Sequence, residues 1–191
     1  MADIVSRHSP LAGRSGELAG LPIGARELPF LTQLNVRLDA TGPAAIAVVA
    51  VLGGPLPTLP CTASRFGEFE VLWLGPGEWL VLAPAGWETS LAAGLREAIG
   101  SCDGAVTDVS AESAALELTG AHVRELLARG CSIDLHPKVT PIGSCVQTLL
   151  ARTGVVIVVH DDSASNFLVL VRASFADYLA SWLIDACTEV G

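Results

Sequence analysis

The sequence predicts an α+β fold, with mostly antiparallel sheet and helices packed on one side. Two observations lead to this prediction. Apolar stretches at 145–151, 155–160 and 167–172 are separated by short polar connections, which is typical of an antiparallel meander. The last of them leads into an amphipathic helix, where Leu179 and Leu183 share one face at helical spacing. Alternating βαβ units of a parallel nucleotide-binding sheet do not occur in this pattern.

The first fifty residues contain three predicted segments. Residues 1–29 mix Ser, Gly, Pro and Arg without sustained periodicity, so we expect an extended N-terminal arm rather than a packed element. Residues 34–38 alternate apolar and polar side chains, the pattern of a half-buried strand. The apolar run at 44–52 is interpreted as a buried strand.

A hairpin and a helix follow in the middle of the chain. Residues 69–74 alternate, Gly75-Pro76-Gly77-Glu78 supplies turn residues, and 79–83 runs back. A helix is predicted over 89–99, and Gly100 provides its end.

The second half repeats this order of elements. Strands are predicted at 105–109 and 115–119, a helix at 121–129, and a loop at 131–144. The final helix is expected to begin at Ser174, with Asp177 completing its cap.

We therefore expect a single α+β domain over 30–191 behind the arm, or two lobes at about 30–104 and 105–191.

Composition limits the classes of partner. The 191 residues include 20 acidic and 11 basic side chains, a net charge of −9, and no Lys/Arg cluster interrupts it. Phosphate-backbone binding depends on such a cluster, which argues against nucleic acid. Mean hydropathy is +0.53 and charged residues are only 16%, against a usual share of about 25%. Either an Ala-rich composition or apolar surface covered by a partner explains this.

The sequence also predicts the compartment. The longest apolar run, 44–52, is too short to cross a bilayer, and the N-terminus lacks the apolar segment of a signal peptide. We expect a cytoplasmic protein without membrane association. Five scattered cysteines with no C-x-x-C pair match neither a disulfide framework nor a zinc site.

Patterns that carry chemistry are weak or missing. Neither phosphate-binding glycine motif occurs, and Gly75-Pro76-Gly77 joins two strands rather than a strand and a helix. Three groups contain residues of nucleophilic, metal-binding or acid/base type, and each is interpreted as structural: Cys131 and Cys145 with His136, the run His160-Asp161-Asp162, and Asp108 with Glu112 and Glu117. We expect no catalytic, cofactor-binding or metal-binding residue in this chain.

Four residues are candidates for contact with a partner. Trp73 and Trp79 flank the turn of the hairpin, where they could line an interface. Asp134 and His136 lie in the loop that follows the second helix, and Pro137 restricts the backbone there. They either pair structurally or present a surface to a partner.

Seven short blocks, in order along the chain, resemble the gamma subunit of heterotetrameric sarcosine oxidase. They are SPL at 9–11, QLNVR at 33–37, LGPGEWL at 74–80, TDVS at 107–110, RGCSIDLHP at 129–137, CVQT at 145–148 and RASFADYL at 172–179. Residues 138–144 depart from the family pattern, which affects only the contacts of that loop.

The resemblance implies a fold like the folate domain of the glycine-cleavage aminomethyltransferase (T-protein). It also implies a complex that oxidatively demethylates sarcosine to glycine, forms hydrogen peroxide, and releases the methyl carbon as formaldehyde or passes it to tetrahydrofolate. The alpha, beta and delta subunits would be its partners and would carry FAD, FMN, NAD, zinc and the folate site. This chain would then be a noncatalytic, structural member.

An alternative hypothesis is a stand-alone folate-binding protein of the same fold. T-protein enzymes hold folate with a carboxylate in a tyrosine-rich context, whereas the single tyrosine here, Tyr178, lies on the final helix. The resemblance therefore favours the structural subunit.

Overall fold

The computed structural model describes residues 7–161 and 166–188. The chain contains two antiparallel sheets of five strands each. Their strands are β1 (Gly24–Glu27), β2 (Thr32–Leu38), β3 (Ala63–Phe66), β4 (Phe69–Gly75), β5 (Glu78–Ala83), β6 (Gly104–Asp108), β7 (Ser113–Thr119), β8 (Cys145–Leu150), β9 (Thr153–Asp161) and β10 (Asn166–Arg172). The first sheet has the order β1-β7-β10-β9-β8, and the second has the order β3-β4-β5-β2-β6.

Helices cover one face of each sheet. They are α1 (Ser15–Ala19), α2 (Pro43–Ala47), α3 (Val49–Leu52), α4 (Glu88–Ile99), α5 (Val123–Ala128) and α6 (Ala176–Cys187), with 3₁₀ turns at Ala12–Arg14 and Ala173–Phe175. Helices α1, α5 and α6 pack on the first sheet, and α2, α3 and α4 pack on the second. The other faces of the two sheets pack against each other. The predicted α+β class is confirmed, with two sheets where the sequence suggested one.

Strand β10 shows how the sequence specifies these layers. Phe167 and Val169 point to the helices, while Leu168 and Leu170 point to the second sheet, because successive side chains in a strand alternate faces. A strand buried on both faces reads as a continuous apolar run. The predicted meander of β8, β9 and β10 is confirmed by the antiparallel pairing of β9 with both neighbours.

The predicted hairpin and the helix after it are confirmed. Strands β4 and β5 pair across a turn in which Gly77 has φ +73°, a left-handed value that glycine adopts without strain. Helix α4 ends at Gly100, which also has positive φ at 58°.

The interpretation of 44–52 as a buried strand is wrong. This run forms α2 and α3, with Pro43 at the first helical position and Gly53 in a left-handed conformation at the end. Val48 and Leu52 are buried at a spacing of four, whereas Ile46 is 75% exposed. A short apolar run does not distinguish strand from helix by itself.

The predicted extended arm is also wrong for the described part of residues 1–29. Leu11 and Leu18 are buried in the core of the first sheet, and β1 pairs with β7. Residues 1–6 of this prediction lie outside the described residues. These elements were missed because their burial depends on a strand nearly a hundred residues away rather than on local periodicity.

Two smaller corrections concern boundaries. The last helix begins at Ala176 after a 3₁₀ turn, and Ser174 makes no side-chain cap. Strand β6 pairs with β2, so residues 104–108 belong with the second sheet, and β1 belongs with the first. If the chain were divided into two lobes, with one sheet in each, the boundary would therefore not fall at residue 104.

Candidate functional site

A cleft lies between strands of the two sheets. It has a volume of about 770 Å³, and β2 contributes Gln33, Asn35 and Arg37 to its wall. These side chains alternate with the buried Leu34 and Val36, so the strand presents its polar face to the cleft.

The carboxylate of Glu78 accepts hydrogen bonds from two neighbours in this wall. The side-chain amide of Asn35 and the guanidinium of Arg37 each lie 2.8 Å from its Oε1. The hydrogen bond from Asn35 lowers the pKa of Glu78 most, desolvation opposes it, and Arg37 lowers the pKa further. The carboxylate is therefore held ionised by groups of this chain itself.

Other polar groups of the cleft connect the two sheets. The side-chain amide of Gln33 on β2 donates to the carbonyl of Ser113 on β7 at 2.8 Å. Gln147 on β8 donates to the carbonyl of Leu74 on β4 at 2.7 Å. These two hydrogen bonds join the two sheets across the cleft.

At the β3 edge of the second sheet, a charged cluster also bridges the sheets. Glu70 on β4 is 8% exposed, and its Oε1 lies 2.8 Å from Nε2 of His160 on β9. Arg65 on β3 lies 3.2 Å from the other carboxylate oxygen. Desolvation would raise the pKa of Glu70, but the hydrogen bond from His160 and the nearby Arg65 together hold it below its ordinary range.

Asp108 and Ser110 close the turn after β6 by side-chain hydrogen bonds. The hydroxyl of Ser110 donates to Oδ1 of Asp108 at 2.6 Å, and the backbone N–H of Ser110 donates to the same oxygen at 3.0 Å. These hydrogen bonds lower the pKa of Asp108. Ser110 also accepts from the backbone N–H of Gln33, which fixes β2 against this turn.

The four predicted contact residues fall into two groups. Trp79 is fully buried, and its indole N–H donates to the carbonyl of Pro57 at 2.8 Å. The prediction that Trp79 contacts a partner is therefore wrong, because this side chain belongs to the core. Trp73 is partly buried against the same core. Asp134 and His136 are exposed, and Asp134 accepts from the backbone N–H of His136 at 2.8 Å. Partner contact by Trp73, Asp134 and His136 stays a prediction.

All five cysteines are free thiols, and two of them, Cys145 and Cys187, are buried. Cys145 is buried, and desolvation raises its pKa to about 12, with smaller contributions from nearby Cys61 and Glu70. Among the described residues, no three His, Cys, Asp or Glu side chains converge as metal ligands. Asp162 of the His160-Asp161-Asp162 run lies outside the described residues.

Sequence reasoning missed the cluster of Glu70 and Arg65 with His160. A signal existed at Glu70, a charged residue at a position flanked by apolar side chains in a predicted strand. Its partner lies ninety residues away on the other sheet, a pairing that no local pattern specifies.

No helix in the described part of the chain has the length and apolar character required to cross a bilayer.

Comparison with known structures establishes the fold first. The fold is that of the glycine cleavage system aminomethyltransferase T from Bartonella henselae, with a TM-score of 0.67 and 13% identity over 93% of this chain and 57% of that chain. At this identity the likeness concerns the fold alone. This is therefore a chain with the aminomethyltransferase fold whose cleft wall is hydrogen-bonded internally.

The family follows from closer relatives. The model of the "Sarcosine oxidase, gamma subunit family" matches residues 37–189. Sarcosine oxidase subunit gamma of Corynebacterium sp. (strain P-1) is 35% identical over 185 residues, which is 96% of this chain and 89% of that protein. The subunit gamma of an Arthrobacter species has the same identity and coverage. The chain belongs to the sarcosine oxidase gamma subunit family, and the predicted resemblance is confirmed.

A solved structure of this family matches over nearly the whole chain. A chain of the heterotetrameric sarcosine oxidase from Corynebacterium sp. U-96, in complex with pyrrole 2-carboxylate, has a TM-score of 0.87 and 32% identity. The match covers 96% of this chain and 95% of that chain.

Proposed function

We propose that this chain is the noncatalytic gamma subunit of a cytoplasmic heterotetrameric sarcosine oxidase, where it serves assembly and stability. Its partners are the alpha, beta and delta subunits. The complex demethylates sarcosine oxidatively to glycine, reduces oxygen to hydrogen peroxide, and releases the methyl carbon as formaldehyde or transfers it to tetrahydrofolate. In this proposal FAD, FMN, NAD, zinc and folate are bound by the other subunits.

The observation that carries this proposal is the near full-length match to a chain of a heterotetramer, with a TM-score of 0.87. The cleft supports the noncatalytic part. Its Gln33, Gln147 and Glu78 side chains are engaged by other groups of the chain, and two of these bonds connect the sheets. A ligand that displaced one of these hydrogen bonds would lose its net contribution, about 0.5–1.5 kcal/mol.

The proposal is tested by expressing this chain with an affinity tag together with the remaining subunits of the same sarcosine oxidase. We expect the flavin-containing subunits to co-purify in fixed stoichiometry with sarcosine-dependent peroxide formation. We expect the chain expressed alone to carry no flavin absorbance and no activity. A tagged chain that purifies without flavin-containing partners would contradict the proposal.

The stand-alone folate-binding alternative is tested on the same isolated chain. Titration with a reduced folate is followed by calorimetry, with the assembled complex as the positive control. We expect no heat of binding to the isolated chain at micromolar folate. Saturable binding there would favour the alternative.

A further inference from the structure

Two cysteines that are far apart in the sequence, Cys61 and Cys145, lie side by side at a junction between the two sheets. Cys145 is the first residue of β8, at one edge of the first sheet, and Cys61 comes just before β3, at one edge of the second. The backbone N–H of Cys145 donates to the carbonyl of Cys61 at 2.8 Å. The neighbouring residues Thr62 and Ser144 form an antiparallel bridge. The two cysteines therefore face each other across a short antiparallel pairing.

The backbone spacing of this pair suits a disulfide. With a hydrogen bond of 2.8 Å between their backbones, standard bond lengths keep the two Cα atoms within about 6.7 Å of each other. Opposite residues that share such hydrogen bonds in an antiparallel pairing have Cα atoms about 5.5 Å apart. A disulfide joins Cα atoms about 4.4–6.8 Å apart, most often near the middle of that range. The bond therefore requires little movement of the backbone.

The sulfur of Cys145 is directed towards the segment that begins with Cys61. Its Sγ lies 3.8 Å from the carbonyl oxygen of Trp73. The backbone N–H of Trp73 in turn donates to the carbonyl of Thr62 at 3.0 Å. Burial raises the pKa of Cys145 most, and the nearby Cys61 thiol raises it further. The two thiols are therefore close enough to interact electrostatically.

The two thiols differ in their access to solvent. Cys61 has a left-handed φ of 58° where the chain enters the pairing, and its side chain is exposed. Cys145 is only 1% exposed. Oxidation of a cysteine by a peroxide depends on thiolate character and on exposure, and a second cysteine nearby resolves the first product. An oxidant that arrives from solvent therefore meets Cys61 first, and Cys145 is placed as the resolving thiol.

We propose that Cys61 and Cys145 form a redox site, which hydrogen peroxide converts to a disulfide that joins the two sheets. The Cys61 thiolate attacks one oxygen of the peroxide, so an S–O bond forms, the O–O bond breaks and hydroxide leaves. The sulfur of Cys145 then attacks the sulfur of this sulfenic acid, an S–S bond forms, and the S–O bond breaks. The leaving oxygen takes the proton of the Cys145 thiol and departs as water. The two thiols lose two electrons and two protons in total, and the peroxide is reduced to two molecules of water.

This inference rests on the proposed function for the source of the oxidant, because the proposed complex forms hydrogen peroxide. The disulfide would add a covalent link to the hydrogen bonds that already connect the sheets, such as the one from Gln33 to Ser113. It would also close a long loop of the chain, which restricts the unfolded state and stabilises the folded one. A chain that serves assembly would then become more stable when peroxide accumulates.

The test uses the full-length chain, which is first reduced with dithiothreitol and then freed of it. Hydrogen peroxide is added, the remaining thiols are blocked with iodoacetamide, and peptides are analysed by mass spectrometry without reduction. We expect a cross-link between Cys61 and Cys145 and loss of iodoacetamide labelling at Cys61. The Tm should rise by roughly 4 °C or more. Dithiothreitol should reverse each of these changes.

Three variants assign the chemistry to this pair. Cys61→Ser should abolish both the cross-link and the rise in Tm. Cys145→Ala should stop the reaction at the sulfenic acid of Cys61, which dimedone traps. The matched control is Cys102→Ser, because Cys102 is a partly exposed cysteine outside the pair, and this variant should form the cross-link as wild type does. If Cys145→Ala fails to fold, the wild type and Cys61→Ser decide the question, since the Cys61 side chain is exposed.

Peroxide treatment that leaves Cys61 and Cys145 unlinked, oxidises Cys61 to a sulfinic acid, or pairs it with another cysteine would overturn the redox site. A second arm uses the assembled complex with sarcosine and oxygen in place of added peroxide. The same cross-link should form there, and catalase should prevent it. Peroxide formation without the cross-link would overturn the complex as the source of the oxidant. A complex that forms no peroxide from sarcosine would contradict the proposed function, and added peroxide would still decide the redox site.

Discussion

Glu70 and His160 connect the two sheets through a single short contact, in which Oε1 of Glu70 lies 2.8 Å from Nε2 of His160. The two side chains are only 11% and 13% exposed. Glu70 belongs to β4 of the second sheet and His160 to β9 of the first, so this contact and the hydrogen bonds of the cleft hold the sheets together at separate places. A carboxylate buried to this extent depends on its partners to offset the loss of water.

We expect Glu70→Gln to destabilise the chain. The substitution keeps the size of the side chain but removes the charge that His160 and Arg65 face, and a hydrogen bond to a charged group contributes about 1.5–3 kcal/mol. Thermal unfolding followed by circular dichroism should show a lower Tm, by roughly 2–4 °C for each kcal/mol. Glu68→Gln is the matched control, since Glu68 is exposed two residues away. Equal Tm values for the two variants would contradict this role of Glu70.

The contribution of Glu70 should depend on pH with a definite sign. Because the folded state lowers the pKa of this carboxyl, its stabilisation is fully present above the ordinary glutamate pKa of about 4.3 and is lost as the pH falls through the folded value. The difference in unfolding free energy between wild type and Glu70→Gln should therefore shrink as the pH falls below that ordinary value. Denaturant unfolding at several pH values measures it. A difference that grows on acidification would refute the prediction.

Gly77→Ala should destabilise the hairpin turn. Gly77 has φ +73°, and an added Cβ would lie 2.9 Å from the carbonyl oxygen of Leu38, a backbone atom that cannot move aside cheaply. A left-handed conformation in a residue other than glycine costs about 1–3 kcal/mol. Gly75→Ala in the same turn is the control, because nothing lies within 4 Å of its Cβ position. The midpoints of denaturant unfolding compare the stabilities of the two variants. A larger loss of stability for Gly75→Ala than for Gly77→Ala would contradict the prediction.

Thiol alkylation should distinguish Cys61 from Cys145, two cysteines that are neighbours in the fold. Cys145 is buried with its pKa raised to about 12, whereas Cys61 is exposed, and the thiolate is the reactive form. Iodoacetamide at pH 8 should therefore label Cys61 in the folded chain and leave Cys145 unlabelled until denaturant is added. Peptide mass spectrometry reads both sites. Labelling of Cys145 in the folded chain at the rate seen for Cys61 would show that burial does not protect it.

Some elements were predictable because their signal is local. Pro76 and Gly77 at adjacent positions indicate the hairpin turn, and β10 is a continuous apolar run, so both were identified from the sequence. The run at 44–52 was misread because nine apolar residues are compatible with either state. Its helical character is indicated by Pro43 and Gly53 at its ends, which carry more information than its hydrophobicity.

The sites depend on pairings that local patterns do not contain. The pairing of Glu70 with His160 and of Gln33 with Ser113 joins residues far apart in the chain, and only the packing of the sheets brings them together. Trp79 was predicted as a contact residue for the same reason, since its burial follows from α3 and α4 covering that face of β5.

The sequence by itself determined the α+β class, the turns, the amphipathic last helix and, through seven ordered blocks, the family. These are properties of residue type and short-range spacing. The tertiary structure alone decided that there are two sheets and that β1 and Leu11 are part of the core. Those features arise from contacts between distant segments, whose free energy exists only once the sheets have packed.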